Sequence, residues 1–191
     1  MQTMPERFRR NYLWLILPAL GVVFFDQLTK GMIIKSLRIY ETVPVIGGFF
    51  DLVHVRNRGM AFGIMNNAES NAGTWLLVAM SSVAIVLLLV WFYRLKNKGV
   101  FVTLSLSLIM GGAVGNIIDR LRFGEVVDFL DVYIGTYHWP AFNVADAAIT
   151  VGTIMIAANL FFARPTQSQP SETSQSTTEI SSSVKLKRGN K

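Results

Sequence analysis

Nineteen consecutive residues from Thr74 to Phe92 carry no charge, and their only hydroxyls belong to Thr74, Ser81 and Ser82. About 20 such residues make a helix long enough to cross a hydrocarbon layer of about 30 Å, where each backbone polar group must find its partner inside the segment. The run is expected to be a transmembrane helix. The basic cluster Arg94, Lys96 and Lys98 closes it on one side.

Three further apolar runs repeat the pattern, and charged residues make up only 16% of the chain, where a soluble domain has about 25%. One runs from Tyr12 to Ile34 behind Arg7, Arg9 and Arg10, with Pro18 inside it. No small-residue cleavage site follows, so it is expected to be a retained span rather than a removed signal peptide. The others are predicted at 100–118, rich in glycine near its end, and at 141–162. The chain is thus predicted to be membrane α-helical, a four-transmembrane-helix bundle with spans at 12–34, 74–92, 100–118 and 141–162. Residues 1–11 form a basic N-terminus, 12–163 a single domain and 164–191 a Ser/Thr-rich tail with no apolar pattern, predicted to be disordered.

Charge sets the expected orientation. Both termini and the 94–98 loop hold eleven Lys and Arg against seven elsewhere, which predicts cytoplasmic termini. Trp14, Trp75, Trp91 and Trp139 each fall near a span end, as an interfacial aromatic belt requires. Residues 35–71, with the strand candidate Phe49–Asn57, then form a small extramembrane β-rich lobe on the outer face, joined there by an outer loop at 121–140. The formal net charge of +6 follows from topology and does not call for nucleic acid.

Five acids, Asp119, Glu125, Asp128, Asp131 and Asp146, crowd between the last two apolar runs. Acids at or inside spans are costly and usually serve chemistry or transport. Asp146 lies about five residues into its span, and Asp128 stands in the preceding loop, from which it can fold back. Two facing carboxylates would share one proton, letting one activate water while the other polarises a carbonyl. Simpler readings compete: Asp119 pairing with Arg120, Asn143 capping a helix, Asp26 pairing with Lys30 four residues on. A proton-coupled transporter and a non-enzymatic scaffold also remain open. The chain has no cysteine, and His54 and His138 lack ligand-spaced partners, so neither a thiol nucleophile nor a metal site is expected.

The motifs DQLTK at 26–30, NRGMAF at 57–62, GGAVGNIIDR at 111–120, VVDF at 126–129 and FNVADAAI at 142–149 together resemble the bacterial lipoprotein signal peptidases, signal peptidase II. Met60 departs from the small residue more usual there. The resemblance implies a membrane aspartic endopeptidase that cleaves diacylglyceryl-modified prolipoproteins just before the lipidated cysteine. It implies Asp128 and Asp146 as the catalytic pair, with Asn57, Asn116, Arg120 and Asn143 lining the site and Asp26 in structural support. It further implies the bacterial inner membrane as location, an active site near the outer face, inhibition by globomycin-type compounds, and no metal or cofactor. Nothing in the sequence demands more than a monomer embedded in lipid.

Overall fold

A computed structural model describes residues 6–59, 72–94 and 99–162 of the chain, with helix side chains from Tyr12 onward. The tail, Met60 and the rest of the 60–71 segment lie outside the described residues. Four helices are long and apolar enough to cross a membrane: α1 (Glu6–Ser36), α2 (Ala72–Arg94), α3 (Val100–Phe123) and α4 (Val144–Phe162). An open antiparallel sheet accompanies them, in the order β1 (Thr42–Ile46), β2 (Phe50–Asn57), β3 (Val126–Ile134) and β4 (Tyr137–His138).

The most enclosed helix is α3. Buried along it are Thr103, Ser105, Leu106, Ser107, Gly111, Gly112, Gly115, Asn116 and Asp119. Lipid tails are as apolar as leucine, so close packing of small residues must replace the hydrophobic drive between spans. A Cβ at Gly111 would lie 2.7 Å from the Ala19 carbonyl oxygen of α1, and one at Gly152 2.6 Å from that of Ser105. At Gly112 it would run into the Ala145 carbonyl oxygen of α4. The contacts step from Leu15 with Ser107 to Asp26 with Gly115, so α1 and α3 run parallel. Gly112 against Ala145 and Ser105 against Gly152 make α4 antiparallel to α3. By contrast, α2 buries only Phe92 and turns Trp75, Met80, Val83 and Leu87 outward, as a helix facing lipid should.

Two apolar clusters close the ends of the bundle. Leu15, Phe92 and Leu106 meet at one end, and Ile33, Val127 and Phe129 tie α1 to the sheet at the other. The sheet joins segments that the sequence separates. β2 pairs with β3, Val55 opposite Asp128 and Asn57 opposite Val126, so the expected loop at 121–140 is mostly strand. Helix ends also differ from expectation. α3 runs on to Phe123 because Asp119 is neutralised from α1, and it ends where Gly124, at φ 75°, donates its N–H to the Arg120 carbonyl. α4 starts at Val144, after Asn143.

Candidate active site

Asn143 and Asp146 form a reciprocal cap. The side-chain oxygen of Asn143 accepts the Asp146 N–H at 2.9 Å, and a carboxylate oxygen of Asp146 accepts the Asn143 N–H at 3.3 Å. This satisfies two backbone donors that a helix start leaves open. Since that oxygen faces the helix, the Asn143 amide nitrogen points the other way. It donates 2.7 Å to Oδ1 of Asp128, and more weakly, at 3.3 Å each, to the Val127 carbonyl and Asn116 Oδ1. Asn143 is fully buried, and this one residue therefore meets both acids, Asp128 through its side-chain amide and Asp146 through its backbone N–H.

The second oxygen of Asp128 accepts from Asn57 Nδ2 at 2.9 Å, and Asn57 ends β2 by taking the Gly59 N–H on its own oxygen at 2.7 Å. Asp128 is 2% exposed. Burial pushes its carboxyl up to about 6; the hydrogen bond from Asn57 opposes that rise and the charge of Asp146 adds to it. On the other acid, Asn116 Nδ2 donates to Asp146 Oδ1 at 2.8 Å. Arg120 is half-buried in the combined field of Asp146, Asp119 and Asp128, and among the described residues its guanidinium makes no ion pair.

Beneath the two acids lies a second cluster. Lys30 reaches Asp26 at 2.9 Å, Asp119 at 2.9 Å and Asn116 Oδ1 at 3.1 Å, so its three protons have three acceptors. Asp26 spends its other oxygen on the Ala145 N–H of α4 at 2.9 Å, and Asp119 Oδ2 accepts the Val127 N–H at 3.1 Å. Gln27 Nε2 donates to Asp119 Oδ1 at 2.9 Å. Three ionic groups, all at most 2% exposed, thus fix the start of α4 and the start of β3 relative to α1 and α3.

The expected pairing of Asp119 with Arg120 is corrected: Asp119 pairs with Lys30, and Arg120 stays free of it. The structure gathers Asp128, Asp146, Asn57, Asn116 and Asn143 into one hydrogen-bonded group, with Asp26 one step removed through Lys30. Glu125 is drawn off to Arg58 at 2.6 Å and Asp131 to His138 at 2.9 Å. The expected pair of Asp26 with Lys30 is formed, whereas the reach of Lys30 across to Asp119 and the part played by Gln27 do not follow from the sequence reading. The signal for Lys30 was its place inside a span, where a lysine needs a buried partner. Among the described residues no group of three or more His, Asp or Glu is gathered to hold a metal ion.

The family model described as signal peptidase (SPase) II matches residues 18–162. The chain belongs to the signal peptidase II family. It is 54% identical over 143 residues to the lipoprotein signal peptidase of Syntrophotalea carbinolica, covering 74% of this chain and 87% of that one. To that of Geobacter metallireducens it is 44% identical over 154 residues, covering 78% and 91%. A bacterial membrane enzyme solved by the in meso method at 1.9 Å resolution superposes with a TM-score of 0.70 at 34% identity, over 78% of this chain and 92% of that one. As a signal peptidase II the chain is a multi-pass bacterial membrane peptidase. The matched region takes in every residue of the carboxylate group, from Asp26 to Asp146.

Proposed function

We propose that the chain is an aspartic endopeptidase that removes the signal peptide from diacylglyceryl-modified prolipoproteins, cutting just before the lipidated cysteine. The observation that carries this reading is the buried Asn143, whose side-chain amide donates to the Asp128 carboxylate and whose backbone N–H donates to the Asp146 carboxylate. Membership of the signal peptidase II family supports the substrate class, since the relatives are lipoprotein signal peptidases.

In this mechanism Asp146, at the positive end of α4, carries the negative charge and takes a proton from the attacking water. Asp128, whose burial favours the protonated form, donates its proton to the scissile carbonyl; as the resulting diol collapses Asp128 takes a proton back from it, while Asp146 passes the water's proton to the leaving amine, which restores the pair. Asn57 and Asn143 hold Asp128, Asn116 holds Asp146, and Arg120, free of ion pairs among the described residues, binds substrate carbonyls. Asp26 supports the site through Lys30 and α4. A substrate anchored by its own acyl chains brings its scissile bond to the membrane surface, where the sheet meets the bundle. With the basic segments inside, both termini are cytoplasmic and the site opens outward from the inner membrane. Globomycin-type inhibitors compete for it, and the unit acts as a monomer with the tail dispensable.

The test is cleavage of a diacylglyceryl-modified precursor by the purified chain, beside the same precursor without lipid. Cleavage of the lipidated form alone, blocked by globomycin, is the expected result. Equal cleavage of both would remove the lipid requirement, and no cleavage of either would overturn the assignment.

A further inference from the structure

An open cleft of about 790 Å³ lies where α1 leaves its apolar span, apart from the carboxylate group. Lys35, Arg38 and Arg56 line it against a single acid, Glu41, whose carboxylate is engaged by the Arg38 backbone N–H at 2.7 Å. Lys35 and Arg38 are exposed and make no ion pair among the described residues. They stand at the end of α1 opposite its basic N-terminus, so the inward bias of positive charge does not account for them.

Two buried nitrogens in the same lining lack partners among the described residues. His54 is 2% exposed; its Nδ1 lies 2.9 Å from the Leu37 carbonyl oxygen, which can only accept. Nδ1 therefore carries a proton, and in the neutral ring Nε2 presents a lone pair that no described group fills. Arg56, its guanidinium 4.7 Å over the Phe123 ring, has a buried Nε–H with no acceptor among the described residues. Buried polar atoms are nearly always paired, so one missing donor and one missing acceptor beside free cations describe a ligand.

That ligand offers anionic acceptor oxygens and a hydroxyl donor. The apolar span of α1 ends at Ser36, which sets Lys35 to Ile39 at headgroup depth, with Ile34 next to them on the acyl side. We propose that this cleft binds one anionic glycerophospholipid, its phosphodiester on Lys35, Arg38 and Arg56 and a headgroup hydroxyl on Nε2 of His54. The site is independent of the peptidase chemistry above. It would hold a structural lipid against the junction of α1 and the sheet.

The test uses the full chain in neutral phosphatidylcholine nanodiscs titrated with phosphatidylglycerol, and reads retained lipid by native mass spectrometry. Retention of one phosphatidylglycerol in preference to phosphatidylcholine and phosphatidylethanolamine is expected. Lys35→Gln with Arg38→Gln, two exposed positions whose change leaves the fold intact, should weaken it by about fivefold for each cation removed. His54→Phe should weaken phosphatidylglycerol but not phosphatidylmethanol, which lacks the hydroxyl. Equal retention of the neutral lipids, or undiminished retention by the Lys35/Arg38 double variant, would overturn the proposal. So would displacement by soluble glycerol phosphate at the same concentration as the lipid, which would make this a site for free phosphate.

Discussion

The amide nitrogen of Asn143 lies 2.7 Å from Oδ1 of Asp128, and it can do so only because the oxygen of the same amide is turned toward the start of α4. Reversing the amide would break the helix cap and set an oxygen against a carboxylate. The cap thus fixes the donor direction, and the donor direction fixes Asp128.

Replacing either acid should stop catalysis without unfolding the chain. Asp128→Asn and Asp146→Asn are each expected to lower cleavage of lipidated precursor by about 10²- to 10⁴-fold, the usual worth of a general acid or base. Asp131→Asn, whose carboxylate is occupied by His138, should lower it by less than about threefold. Turnover by purified, properly inserted variants decides, and comparable loss at Asp131 would mean the wrong acid has been chosen.

Activity should fall as pH rises. In the proposed mechanism the pair holds one proton, and Asp128 keeps it until about pH 6 because burial disfavours the anion. The alkaline limb of kcat/KM is therefore expected near that value, as an apparent constant of the pair. Asn57 donates to the ionised form and pulls against the rise, so Asn57→Ala should move the limb to higher pH. A limb that moves down, or a rate that climbs from pH 6 to 8, contradicts this.

Lys30 is expected to be the most costly single charge to remove. Lys30→Gln leaves Asp26 and Asp119, at 0% and 1% exposure, without their cation. Breaking a buried pair from one side costs about 3–5 kcal/mol. Thermal unfolding in detergent should show a loss of that order, with restoration of part of it by Asp119→Asn in the same chain.

Glycine spacing can be probed by a matched pair. Gly112→Ala drives a methyl into the Ala145 carbonyl and should destabilise the bundle by about 1–3 kcal/mol, with lower activity because Ala145 adjoins Asp146. Gly21→Ala meets nothing within 4 Å and should be neutral or stabilising by up to about 1 kcal/mol. Unfolding midpoints of the two variants, side by side, test whether backbone contact or helix propensity governs.

The spans were legible because hydrocarbon leaves a chain so few choices, and a run such as Thr74–Phe92 has no other stable use. The end of α3 was not. Asp119, Arg120 and Arg122 read as the start of a loop until Lys30, 89 residues before Asp119, supplies the missing charge. Strand β3 was hidden for a related reason. Val126 to Phe129 is buried throughout, so the alternation that betrays a half-exposed strand is absent, and the partner β2 lies some 70 residues away. Asp128 and Asp146 could be paired from sequence only through the motifs around them. That Asn143 joins them was readable only through the same resemblance, because its capping role gave a sufficient local account of the residue.

Asn143 is both the first anchor of the last helix and the ligand of an acid on the sheet. A nascent chain that has inserted three spans therefore has Asp128 held by Asn57 alone and lacks both Asn143 and Asp146. On the proposed mechanism, peptidase competence switches on with the docking of α4 rather than growing by degrees. Biogenesis itself acts as the safety catch, and a stalled or truncated product would sit in the membrane without cutting its neighbours.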